Sequence, residues 1–173
     1  MAKKIYFITG GARSGKSSYA EQLANSLGGR HAYVATAQAL DAEMAERIEN
    51  HKKDRGDSWE TFEEPLEAAE LIAKLQGDYQ VMLFDCLTLW LSNVLARTDE
   101  DANVMKQIHE LVDRVRNVEM TSIIVSNEVG LGIVPDNPLA RRFRDVAGIL
   151  NQRMAQAADE VYIMAAGIPV KIK

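Results

Sequence analysis

The stretch Ile5-Tyr6-Phe7-Ile8-Thr9-Gly10-Gly11-Ala12-Arg13-Ser14-Gly15-Lys16-Ser17 decides the fold. Its first five residues are apolar and β-rich, the composition of a buried strand. The next eight follow Gly-x4-Gly-Lys-Ser. Glycines let the backbone curl so that successive amide N–H groups point at phosphate oxygens. The helix that follows turns its N-terminus toward the same anion. In this pattern Lys16 reaches the β- and γ-phosphates, and the Ser17 hydroxyl ligates Mg²⁺. The competing reading is a glycine-rich turn that merely packs. It must explain a match that arises by chance at roughly 4 × 10⁻⁵ per starting position. A strand before and a helix after supply the context the motif needs.

Outward from this loop, strands and helices alternate. Ser17 to Leu27 places Tyr19, Ala20, Leu23, Ala24 and Leu27 on one helical stripe, and Gly28-Gly29 ends it. Ala32–Thr36 reads as a second strand. Asp41 is an N-cap for a helix through about Lys53, with a polar loop over Asp54 to Asp57. Pro65 opens a helix over Leu66 to Leu75. Gln80–Asp85 is a third strand, followed by helices over Leu87–Ala96 and Ala102–Val118. Ser122–Ser126 is a fourth strand. Asn137-Pro138 opens a long helix to about Ala158. Glu160–Met164 and Val170–Ile172 close the chain as strands. Continuous apolar strands alternating with helices predict an α/β fold: a P-loop NTPase-type (RecA-like), mostly parallel sheet with helices on both faces. Without repeats or a linker, residues 1–173 read as a single domain.

Composition narrows the function. The 173 residues are 47% hydrophobic and 26% charged, ordinary for a globular domain. Net charge is −5 and the pI about 5.3. No basic patch stands out, which disfavours a nucleic-acid partner. The single Cys86 forms no internal disulfide and fits a reducing cytosol, so a cytoplasmic location is expected. The apolar run after Lys3-Lys4 is too short for a secretory core, and no run suits a membrane span.

Two further positions carry chemistry. Asp85 ends an apolar strand, where an acid binds Mg²⁺ directly or through water; it also stands where a helix N-cap would. Beside the phosphate loop the metal reading is favoured. In the helix from Asp41, Met44, Ile48, His51 and Arg55 share one stripe, with Arg47, Lys52 and Lys53 close by. Cations around one imidazole suit a triphosphate clamp. A packed or carbonyl-capping histidine is the alternative, and spacing leaves the two open. His31 and His109 read as structural. No Asn-Lys-x-Asp occurs, which disfavours a regulatory GTPase. Small-molecule kinase, nucleotidyltransferase and nucleotide-binding switch all remain.

The runs ITGGARSGKS (8–17), RIENHKKDR (47–55), SNEVGLGIVPDNPLARRFRDVAGILNQRMAQAADEVY (126–162) and GIPVKIK (167–173) resemble the bifunctional adenosylcobinamide kinase / adenosylcobinamide-phosphate guanylyltransferases of cobalamin assembly. The phosphate loop is shared by many families. The histidine segment and the NEVGLGIVP block followed by RxFRDxAGxxNQ are specific. The resemblance implies two reactions. ATP or GTP phosphorylates the aminopropanol hydroxyl of adenosylcobinamide. A histidine, here His51, then takes GMP from GTP and passes it to adenosylcobinamide phosphate. It implies Mg²⁺, a corrinoid substrate and a homotrimer.

The same resemblance implies nucleotide contacts at Gly10, Gly11, Ala12, Arg13, Ser14, Gly15, Lys16, Ser17, Ala35, Thr36, Ala37, Lys52, Lys53, Asp54, Arg55, Glu63 and Asp85, with His51 and Lys16 catalytic and Ser17 and Asp85 on the metal. Glu63 suits guanine, because a carboxylate accepts from N1–H and N2–H₂; it also reads as a solvated acid in the run Glu60 to Glu64. Asn50 stands where some relatives carry a second histidine. Asn127 and Glu128 touch the corrinoid or cap the turn at Val129-Gly130, the cap being slightly favoured. Arg141, Arg142 and Arg144 line either a solvated helix face or an acceptor site.

Overall fold

The computed structural model describes residues 3–37 and 58–173. The expected helix from Asp41, the loop to Asp57, and His51 with Lys52–Arg55 lie outside the described residues.

Seven strands form one sheet: β1 (Ile5–Gly10), β2 (His31–Ala35), β3 (Trp59–Glu63), β4 (Val81–Asp85), β5 (Thr121–Val125), β6 (Glu160–Ala165) and β7 (Ile168–Lys171). Their order is β3-β2-β4-β5-β1-β6-β7. Every neighbouring pair is parallel except the β6–β7 hairpin. The helices among the described residues are α1 (Lys16–Leu27), α2 (Ala68–Leu75), α3 (Leu87–Arg97), α4 (Asp101–Asn117) and α5 (Pro138–Ala157).

Alternation along each strand divides the core into two layers. Phe7, Val34, Met82, Phe84 and Ile124 face α2 to α5, where Ile72, Trp90, Leu91, Ile108, Leu111 and Leu150 fill the layer. Tyr6, Ile8, Tyr33, Leu83, Ile123 and Val125 face the other way, against Ala20 and Ala24 of α1. The two alanines let α1 lie close to the sheet. That closeness brings the start of α1 down onto the end of β1. Each large aliphatic side chain buried in this way contributes about 1.5–3 kcal/mol.

Two expectations are revised. β3 was not anticipated: Trp59-Glu60-Thr61-Phe62-Glu63 carries an acid on each face and is only half-buried. It can, because among the described residues it is an edge strand, paired to β2 alone. Its signal was the β-rich trio Trp59, Thr61 and Phe62. The second revision concerns α2, which starts at Ala68 rather than at Pro65. The Glu64 carboxylate accepts from Leu66 N–H (3.0 Å) and Glu67 N–H (2.8 Å), so a turn precedes the helix. By contrast α5 begins as its sequence predicts: Asn137 Oδ1 accepts from Leu139 and Ala140 N–H, with Pro138 in the first turn.

Candidate active site at the carboxyl ends of the parallel strands

The phosphate loop joins β1 directly to α1. Gly10 has φ 145°. A Cβ there would stand 2.6 Å from the Met164 carbonyl oxygen of the paired strand β6, so only glycine fits. Gly15 has φ 92°, and its Cα lies against the β6–β7 turn, where a Cβ would meet Gly167 Cα at 3.2 Å. Gly167 N–H donates to the Ser14 carbonyl (3.0 Å), tying the loop to that turn. Arg13 sits at φ 55°, a left-handed conformation. Lys16 is almost fully buried, and its ammonium donates to the Gly11 carbonyl at 2.6 Å. The lysine is thus folded back over its own loop, a donor held where an anion would compete for it.

Register places the remaining candidates. Ile8 pairs with Val125, Val125 with Asp85, Asp85 with Ala35, and Ala35 with Glu63. These five residues therefore form one row across the sheet, just below the phosphate loop. At about 4.8 Å per strand, Asp85 stands roughly 10 Å from Ile8, and Glu63 roughly 19 Å. Side chains in one row share a face. Ile8, Val125 and Ala35 belong to the layer beneath α1, so Asp85 and Glu63 stand on the face that carries the phosphate loop.

Asp85 accepts a hydrogen bond from the Tyr33 hydroxyl at 3.1 Å. It does not cap α3: the N-cap position is Cys86, and the Asp85–Cys86 peptide is cis. Cys86 is buried, and burial, with the Asp85 charge second, pushes its thiol up to about 11. It is a neutral packing group, not a nucleophile.

The Thr36 hydroxyl accepts from Cys86 N–H (2.9 Å) and donates to the Cys86 carbonyl (2.8 Å). Asn93, on α3, donates to the carbonyls of Thr36 (2.9 Å) and Pro65 (3.1 Å). Trp90 Nε1–H donates to the Leu66 carbonyl at 2.9 Å. Helix α3 thereby holds both the segment after β2 and the segment after β3. A second set braces the end of β5. Asn127 donates to Thr88 Oγ1 (2.9 Å), Asn151 donates to the Asn127 carbonyl (3.1 Å), and the Ser126 hydroxyl bonds Asn151 Oδ1 (2.7 Å). Thr88 and Asn93 escaped the sequence reading, whereas Asn151 was noted only as part of the RxFRDxAGxxNQ motif, without a role. A lone polar residue on an apolar helix face was the only signal for Thr88 and Asn93.

Glu128 turns its carboxylate onto Gly130 N–H, the turn-capping alternative, while Asn127 braces rather than caps. The three arginines make local bonds. Arg141 donates to the Pro135 and Asp136 carbonyls, Arg142 pairs with Asp99 and Asp101, and Arg144 pairs with Asp145. His31 is buried and stacks on Trp59 at 4.7 Å, and burial keeps its pKa below the ordinary value. His109 is exposed beside Asp113. Among the described residues no three His, Cys, Asp or Glu side chains gather into a metal cage. None of the described helices is long and apolar enough to cross a membrane.

Comparison with known proteins identifies the fold and the family. The fold is that of the P-loop NTPases. The KaiC-like protein PH0186 of Pyrococcus horikoshii OT3 matches with a TM-score of 0.55 at 12% identity, over 94% of this chain and 71% of that one. The RadB recombinase matches with a TM-score of 0.53 at 15% identity, over 94% and 74%. Two relatives are far closer in sequence. The bifunctional adenosylcobalamin biosynthesis protein CobU of Escherichia coli K12 is 41% identical, over 98% of this chain and 99% of its own. The corresponding CobP of Pseudomonas aeruginosa is 42% identical, over 96% and 95%. The family model described as cobinamide kinase / cobinamide phosphate guanyltransferase matches residues 6–172, and the chain belongs to that family.

Proposed function

We propose that this chain performs both reactions of its family. It phosphorylates the aminopropanol hydroxyl of adenosylcobinamide with ATP or GTP. It then transfers GMP from GTP to the resulting phosphate, giving adenosylcobinamide-GDP. The observation that carries the reading is the row Ile8–Val125–Asp85–Ala35–Glu63. Three candidates drawn from distant parts of the sequence, Asp85, Ala35 and Glu63, fall on this line at the carboxyl ends of parallel strands, the end of such sheets where ligands bind.

The loop Gly10–Ser17 cradles the phosphates, with its N–H groups and the α1 N-terminus supplying positive potential. Lys16 gives up the Gly11 carbonyl and follows the phosphate charge. Ser17, in the first turn of α1, and Asp85 offer the hard oxygen donors that Mg²⁺ takes alongside phosphate and water. That ion would neutralise charge on the transferred phosphate. A nucleotide laid out along the row brings its base toward Ala35–Ala37 and Glu63, where a carboxylate prefers guanine to adenine.

For the second reaction, the His51 imidazole attacks the α-phosphorus of GTP, the bond to pyrophosphate breaks, and GMP is held on nitrogen. A phosphate oxygen of the corrinoid then attacks the same phosphorus and frees the imidazole. Lys52, Lys53, Asp54 and Arg55 complete the nucleotide contacts in this reading. A homotrimer and a cytosolic setting accompany it, the first from the family resemblance and the second from the lone Cys86 thiol.

The test is a product analysis. Protein, Mg²⁺ and adenosylcobinamide with ATP alone should give the phosphate; adding GTP should give the GDP derivative. A protein that stops at the phosphate is a plain kinase. One that binds GTP and yields neither product is a nucleotide switch.

A further inference from the structure

Strand β5 does not end its association with β1 at Val125. Ser126 N–H donates to the Ile8 carbonyl (3.0 Å) and Glu128 N–H to the Gly10 carbonyl (2.9 Å), so this chain runs alongside β1 up to the phosphate loop. From there residues 129–136 leave the sheet. Both roots of this loop are fixed. Glu128 holds Gly130 N–H, while Arg141 reaches back from α5 to the Pro135 and Asp136 carbonyls. Its apex carries the most exposed large apolar side chains of the described structure: Leu131 at 84% and Ile133 at 96% exposure, with Val134 at 57% and Leu139 beyond it at 62%. No charged side chain interrupts Val129 to Pro135. An anchored loop that presents several exposed aliphatic groups within a few residues of one another marks a binding surface.

We infer that this loop is the ledge on which the corrinoid acceptor rests. The inference depends on the functional reading above and adds to it the residues that hold the second substrate. The chemistry selects the occupant. The acceptor hydroxyl must reach the phosphate held by Gly10–Ser17, and the root of the ledge is hydrogen-bonded to Gly10 itself. An uncharged aliphatic surface suits a broad, largely apolar macrocycle whose substituents are neutral amides. It does not suit a second nucleotide, which would need cations. Leu131, Ile133 and Val134 cover one face of the macrocycle, and its hydroxyl-bearing arm crosses Gly10 into the cradle.

The test uses Leu131→Ser, Ile133→Ser and the double variant, each side chain being exposed enough that folding does not depend on it. Steady-state phosphorylation of adenosylcobinamide is measured with nucleotide and corrinoid varied separately, and oligomeric state by light scattering. The expected result for the double variant is a corrinoid KM raised about tenfold or more, with nucleotide KM within about twofold and an unchanged particle mass. A corrinoid KM equal to wild type overturns the ledge. So does a loss of activity accompanied by a smaller particle, which would assign the loop to contacts between copies of the chain. Wild-type protein that phosphorylates no corrinoid at all refutes the functional reading itself, a result separable from either of the others.

Discussion

Replacing Gly10 by alanine probes how the phosphate loop is welded to the sheet. Two costs follow from the geometry. An L side chain at φ 145°, a sparsely populated backbone region, costs about 1–3 kcal/mol. The new Cβ would also lie 2.6 Å from the Met164 carbonyl oxygen and 3.2 Å from Met164 N. Those are backbone atoms pinned by the β1–β6 pairing of Gly10 with Met164, so they cannot swing aside as a flexible side chain would. Overpacking of this kind costs about 1–3 kcal/mol. Together the destabilisation is about 3 kcal/mol, which in a chain of this length lowers Tm by about 6–12 °C. Gly11→Ala is the matched control: nothing lies within 4 Å of its Cβ position, so its stability should stay within about 0.5 kcal/mol of wild type. Thermal and urea unfolding of the two variants decide the matter. A Gly10→Ala protein melting within about 2 °C of wild type would refute the steric argument.

Other perturbations have equally definite outcomes. Lys16→Ala removes the buried ammonium now held on the Gly11 carbonyl, and kcat for phosphoryl transfer should fall by about 10²-fold or more in steady-state assays. Asn93→Ala leaves the Thr36 and Pro65 carbonyls without their shared donor, which should cost about 2 kcal/mol in urea unfolding. The Glu160 carboxylate is held down at about 2 by hydrogen bonds from Lys4, Tyr162 and Lys171. A lowered carboxylate adds stability above its unfolded value, near pH 4.5, and loses it as pH falls toward 2. Acid unfolding of Glu160→Gln should therefore lack the part of the pH dependence that wild type shows across that window.

Most of the architecture was legible because its signals were local and strong. The glycine pattern after Ile5–Thr9 names one loop with one neighbour on each side. Asn137-Pro138 announces the start of α5, and the continuous apolar strands announce a sheet covered on both faces. β3 was not legible, because an edge strand needs no continuous apolar run and its two acids resemble a solvated turn. The site was legible as types of residue but not as an arrangement. Nothing in the sequence says that Asp85, Ala35 and Glu63 share a row, since that depends on β4 lying between β2 and β5. The bracing roles of Thr88, Asn93 and Asn151 were not legible for a related reason: their partners are backbone and side-chain atoms on other elements, brought near only by the fold.

In the proposed function, His51 carries GMP from GTP to the corrinoid phosphate. The most direct measurement is intact-mass spectrometry of the protein after incubation with GTP and Mg²⁺, followed by peptide mapping. The account predicts a mass increase of one GMP, located on the peptide containing His51, lost in acid, stable in base and absent from His51→Ala. An unmodified wild-type protein that still makes adenosylcobinamide-GDP would contradict it, as would an adduct that persists in His51→Ala.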